Sequence, residues 1–209
     1  LGGPMPGEGN VISGNQFSGA KVSGGNGQVV GANLIGLNAS GMGAIPNSLD
    51  GVRVSGGAGI HVILNTIAGN TGNGIGVDAG SELEFGENDI AQNGGLGIDL
   101  GLDGVTPNDL GDGDMGAGDL QNFPVITSAV TDMGVTTVMG TLNSGATSDY
   151  LILFYISPSC DGSGFGEGKV FAGNVTVTTD NAGDAPFSVN LDIPAMSGES
   201  VTATASLLG

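Results

Sequence analysis

The chain has 209 residues, with 21 acidic side chains against three basic ones, and a formal net charge of −18. Such a surface repels nucleic acid and anionic membranes and suits a high-salt or divalent-cation environment. One cysteine, Cys160, leaves no internal disulfide; one histidine, His61, nearly excludes His/Cys transition-metal sites; and no apolar run reaches transmembrane length.

The chain starts mid-pattern at Leu1-Gly-Gly-Pro, without an initiator Met or a visible signal peptide, and reads as a fragment or processed part of something larger. From Asn10 a phrase recurs: Asn, any residue, Ile, then a second Asn, then Gly followed by alternating apolar residues. Its copies begin at Asn10, Asn33, Asn65 and Asn88, in steps of 23, 32 and 23 residues. Self-similarity at this period predicts a stacked architecture. The second asparagines are read as Asn15, Asn38, Asn70 and Asn93, and the glycines as Gly19, Gly51, Gly74 and Gly97.

Ile12, Ile35, Ile67 and Ile90 form one apolar column. The pairs Ala20/Val22, Val52/Val54, Ile75/Val77 and Ile98/Leu100 carry the period-2 signature of a strand with one buried face. Gln28/Val30, Ile60/Val62 and Leu83/Phe85 predict a third short strand. Glycine and asparagine are expected at the corners, where left-handed backbone is needed, and stacked asparagines can pass amide hydrogen bonds along a ladder. The long step predicts a nine-residue insertion between Asn38 and Gly51, a loop projecting from one face.

The segment Asn65-Thr-Ile-Ala-Gly-Asn-Thr-Gly-Asn-Gly-Ile-Gly-Val77 resembles the right-handed parallel β-helix repeat of pectate-lyase-like proteins. The resemblance covers roughly residues 1–101 and implies a short three-sheet helix of about four coils. The family includes polysaccharide lyases, mannuronan epimerases, adhesins and bacterial surface proteins, so it implies a fold more than an activity.

Residues 102–123 form an acidic, glycine-rich joint, and a second domain is expected over 124–209. Strands are predicted at 124–130, 135–142, 150–157, 169–179, 185–193 and 200–206, with a hairpin turn at 179–184. This spacing suggests an immunoglobulin-like β-sandwich one strand short of seven. The segment 159–168 also resembles modules that follow such helices in bacterial surface proteins, whose implied second cysteine lies beyond this chain. The fold class expected is therefore all-β.

The candidate metal ligands are Asp99, Asp103, Asp109, Asp112, Asp114 and Asp119, which could order a structural Ca²⁺ from flexible loop carboxylates. The EF-hand loop and the Gly-Gly-x-Gly-x-Asp repeat are missing, so a solvated acidic cap remains the alternative. Lys21 and Arg53 fall in one outward column, which Asp99 continues. A uronate lyase would use Arg53 as a base beside Ca²⁺-bound carboxylates; exposed cations that discourage edge pairing are the plainer reading. His61 is expected to meet Glu84 on the surface. Asn38-Ala-Ser40 and Asn174-Val-Thr176 are glycosylation sequons. Together these features point to a non-catalytic extracellular or cell-surface module, bacterial by resemblance. It would contact other copies of itself through chain ends and open strand edges, or polysaccharide; the alternative is a uronate lyase or epimerase-like enzyme or accessory domain.

Overall fold

The computed structural model describes every residue except Pro4, Pro6, Cys160, Asp161, Gly162 and Gly209, so the fate of Cys160 lies outside the described residues. The chain is all-β, and no helix among the described residues is long and apolar enough to cross a membrane. It divides into two compact units: Leu1–Thr106 with Gly116–Asp119, and Pro107–Met115 with Leu120–Gly209.

Among its described residues the first unit holds ten short strands: β1 (Val11–Ile12), β2 (Ala20–Val22), β3 (Val29–Gly31), β4 (Leu34–Ile35), β5 (Val52–Ala58), β6 (His61–Ile63), β7 (Thr66–Ala68), β8 (Ile75–Ser81), β9 (Asp89–Ala91) and β10 (Ile98–Leu100). They form three parallel sheets, in the orders β1-β4-β7-β9, β2-β5-β8-β10 and β3-β6. Registers follow the sequence repeat: Ile35 pairs with Ile67 and Ile67 with Ile90, while Ala20 pairs with Val52, Val52 with Ile75 and Ile75 with Ile98. Alternation turns one side of each strand inward, and Ile35, Val52, Val54, Ile60, Val62, Ile67, Ile75 and Val77 are fully buried in one core. The third strand expected around Leu83–Phe85 is reduced to a single bridge between His61 and Glu84.

Two asparagine ladders run through this unit. In the first, the backbone N–H and the side-chain Nδ2 of each asparagine both donate to Oδ1 of the next. Asn10 donates to Asn33 at 2.9 and 3.0 Å, Asn33 to Asn65 at 3.0 and 3.0 Å, and Asn65 to Asn88 at 3.0 and 2.9 Å. Buried amides are tolerated only when satisfied, and this geometry satisfies each Oδ1 twice.

The second ladder departs from the expected spacing. Asn15 donates to Asn47 Oδ1 at 3.1 and 2.8 Å, Asn47 Nδ2 donates to Asn70 Oδ1 at 2.8 Å, and Asn70 donates to Asn93 Oδ1 at 3.1 and 2.9 Å. The rung is Asn47, not Asn38. Asn38 instead caps the inserted loop, its Oδ1 accepting from Ser40 N and Oγ, Met42 N and Gly43 N. The insertion therefore ends before Asn47, four residues ahead of Gly51, the same spacing as Asn15 to Gly19 and Asn70 to Gly74.

The corner chemistry agrees with expectation only in part: glycines such as Gly24, Gly56, Gly57 and Gly80 take positive φ, but no described asparagine does. Left-handed backbone falls on the residue before a ladder asparagine: Ala32 (φ 55°), Leu64 (φ 58°) and Glu87 (φ 50°) in one ladder, and Gly14 (φ 71°), Gly69 (φ 70°) and Gln92 (φ 58°) in the other. The column glycine serves a different need, which is space. A Cβ on Gly74 would stand 2.5 Å from Ile90 Cγ2 and 2.6 Å from Gly97 O.

The second unit holds β11 (Val125–Asp132), β12 (Val135–Asn143), β13 (Asp149–Ser157), β14 (Val170–Thr178), β15 (Asp184–Asn190) and β16 (Ser200–Leu207). They form two three-stranded antiparallel sheets, β11-β12-β15 and β14-β13-β16. One core of Val138, Leu142, Ile152, Phe154, Ala172 and Phe187 takes residues from both sheets, with Phe154 and Phe187 meeting edge to face at 5.6 Å. The segment 179–184 is not a hairpin turn. It carries the chain from β14 in one sheet to β15 in the other, leaving the outer edge of β14 unpaired among the described residues. Asp180 builds that turn, its Oδ1 accepting from Ala182 N at 2.8 Å and Asp184 N at 3.0 Å. These backbone donors, Asp184 first, hold its carboxyl below the ordinary range.

Candidate functional site

Parallel stacking places Lys21, Arg53, Gly76 and Asp99 in one column on the outer face of sheet β2-β5-β8-β10, as the repeat requires. Arg53 does not stand free in it. Its Nε and Nη2 donate to Asp78 Oδ2 and Oδ1 at 2.8 and 2.5 Å, and its Nη1 donates to Asp50 Oδ2 at 2.9 Å. Ser55 Oγ also donates to Asp78 Oδ2, at 2.9 Å. The hydrogen bonds to Asp78 outweigh the desolvation that opposes them and raise the Arg53 pKa further, while Arg53 in turn holds the Asp78 carboxyl below its usual range. A proton-abstracting base needs its pKa brought down towards the working pH. This site moves the guanidinium the other way.

Asp50 anchors the arrangement from a buried position, its Oδ1 also accepting from Asn73 N at 3.0 Å. Gly76 keeps the column open, because a Cβ there would lie 2.8 Å from Asp50 Oδ2 and 2.7 Å from Leu102 Cδ2. Asp99 is buried, accepting from Asn73 Nδ2 at 3.0 Å and Gly104 N at 3.3 Å. Burial raises its pKa more than these bonds lower it. Asp99 is thus a structural acceptor of the last repeat, with the charge of Asp103 acting on it.

Of the six aspartates read as one ligand set, the structure gathers three. Carboxylate oxygens of Asp109, Asp112 and Asp114 lie within 4.8 Å of one another, while Asp103 and Asp119 are exposed and join no such group among the described residues. Two of the three are already committed: Asp112 accepts from Asn122 N at 2.8 Å and Ser144 Oγ at 2.7 Å, and Asp109 accepts from Gly113 N at 3.1 Å. Burial, reinforced by the charges of Asp114 and Asp109, raises the Asp112 pKa. Asp114 Oδ1 is buried and without a hydrogen-bond partner. Three carboxylates supply only part of the six to eight oxygens that Ca²⁺ takes.

His61 meets Glu84 through Nδ1 at 2.5 Å, in the column that also holds Val29. A shallow depression beside it is lined by Ile63, Leu64, Glu84, Gly86 and Glu87. The inserted loop adds a feature that residue spacing alone did not disclose. Its backbone meets the first repeat, Gly14 N donating to Ile45 O at 3.1 Å; Met42 and Ile45 are exposed on the loop, and Phe17 and Leu49 on the flanking repeats. These apolar residues fall outside the buried Ile and Val columns, which is the signal that could have marked them.

The fold defines the class of the chain as all-β, with parallel stacking in one unit and antiparallel pairing in the other. No protein-family model and no curated protein matches it.

Proposed function

We propose that the chain is a non-catalytic extracellular structural and adhesive module. In this reading the first unit is a short right-handed three-sheet parallel β-helix, and the second is an immunoglobulin-like sandwich of three strands on three. The observation that carries the reading is the state of Arg53. The residue best placed for uronate chemistry is tied to two carboxylates of its own unit and kept charged. The repeat's other recurring polar side chains, the asparagines, spend their donors and acceptors on the two ladders.

The module works as a spacer whose open strand edges make contacts. Each sheet of the second unit has two edges, and exposed Val170 on β14 and Leu207 on β16 lie on edges that a neighbouring copy can pair with. Sedimentation equilibrium over a range of concentrations tests this. Reversible self-association, weakened by Val170→Lys and Leu207→Lys, is the expected result. A monomer at every concentration removes the self-associating reading. Release of unsaturated products from uronate polysaccharides, lost in Arg53→Met, would replace the whole reading with the lyase.

A further inference from the structure

Methionine is among the residue types most often found buried. In this chain all six methionines lie outside: Met5, Met42, Met115, Met133, Met139 and Met196 are 60, 92, 91, 97, 49 and 67% exposed. Neither apolar core contains one. The oxidisable aromatic side chains are sorted the opposite way. There is no tryptophan, and the two tyrosines, Tyr150 and Tyr155, are 3 and 4% exposed. The cores are made of Val, Ile, Leu, Ala, Phe and Tyr, so no thioether sulfur belongs to either core.

We propose that the six methionines form an oxidant-scavenging surface, a set of modification sites for two-electron oxidants such as hypochlorous acid. The inference is independent of the adhesive reading, since it rests on where the sulfurs are and not on what the module binds. The chemistry needs only the oxidant and water. The thioether sulfur attacks chlorine, forming an S–Cl bond as hydroxide leaves, and water then displaces chloride to give the sulfoxide. The net change is one methionine and one hypochlorous acid giving one methionine sulfoxide, one chloride and one proton. Sulfur loses the two electrons that chlorine gains. A sulfoxide is polar, and in a core it disrupts packing. At these six positions it meets water, so the fold is unaffected.

The test is a hypochlorous acid titration of the Cys160→Ser chain, so that the thiol does not take the first equivalent, with peptide mass spectrometry at each dose and a melting curve at the end. The same titration is run on the chain with all six methionines changed to leucine, and on a second version with glutamine in their place should the leucine form aggregate. About six equivalents should convert the methionines before His61, Lys21, Lys169 or either tyrosine is modified, and the thermal midpoint should stay within about 2 °C of the untreated value. In the methionine-free chains, modification of those other residues should begin with the first equivalent. The proposal is overturned if the methionine-free and methionine-containing chains lose His61 and the lysines at the same dose, or if the sulfoxide form melts more than about 2 °C lower.

Discussion

Asn47→Ala should be among the most damaging single changes in the first unit, although it lies in what reads as a decorated loop. The Asn47 side chain is fully buried and makes four hydrogen bonds: its Oδ1 accepts from Asn15 N and Nδ2, and its Nδ2 donates to Asn70 Oδ1 and to Ile12 O. Net values of about 1 kcal/mol per bond put the total near 4 kcal/mol, and a buried group left unsatisfied costs roughly 1–3 kcal/mol. Asn15 is exposed and can recover water, which lowers the figure to about 2–4 kcal/mol. For a unit of this size, 1 kcal/mol moves the midpoint by about 4–8 °C, so a fall of roughly 8–30 °C is expected. The assay is thermal melting followed by circular dichroism, with Asn38→Ala as the comparison. Asn38 caps a loop from a partly exposed position, and its loss should cost about 1 kcal/mol or less. If Asn38→Ala proves as costly as Asn47→Ala, the ladder assignment is wrong.

Further changes probe the corner, the ion pairs and the joint. Gly74→Ala should lower stability by about 1–3 kcal/mol in denaturant melts, through overpacking against Ile90 and the Gly97 carbonyl and not through a backbone angle; an effect below about 0.5 kcal/mol would contradict the close approach. Asp78→Asn should cost only ~0.2–1 kcal/mol, since the pair is partly exposed, while Arg53→Met should cost more because it leaves buried Asp50 without its cation; equal costs would refute that ranking. For pH the signs oppose. Asp112 has a raised folded pKa, so its contribution to stability is present below the ordinary carboxylate range and is lost as pH rises through the folded value. Asp78 has a lowered one, so its contribution is present above the ordinary range and is lost as pH falls through the folded value. Melting in chelator should therefore find Asp112→Asn more stable than the parent chain at neutral pH, with the gap closing in acid; a gap that widens in acid would reverse the assignment.

Most of the first unit is legible in the sequence because stacking imposes one residue type per column. Ile35 over Ile67, and Val52 over Ile75, stand out as a repeat from residue order alone. Counting forward from Asn33 rather than back from Gly51 misplaces the second-ladder asparagine, because the insertion falls between them. The asparagine columns are visible, but the cause of their corners is not. Of the left-handed positions before the ladder asparagines, Gly14 and Gly69 carry the signal, while Ala32, Leu64, Glu87 and Gln92 do not, since neighbouring hydrogen bonds and packing impose the conformation. The strands of the second unit show in the alternation, yet the turn built by Asp180 has the same residue chemistry whether it joins two strands of one sheet or crosses between sheets. The aspartates show the limit most plainly. Spacing along the chain places six together, and three-dimensional geometry keeps Asp109, Asp112 and Asp114 while giving Asp99 to the last coil.

The central claim is that the Arg53 column is structural. One paired measurement tests it: thermal midpoint and uronate turnover, on the parent chain and on Arg53→Met. The account predicts no unsaturated uronate from either protein and a clearly lower midpoint for the variant. Turnover by the parent chain that disappears in Arg53→Met, with the midpoint unchanged, would contradict it.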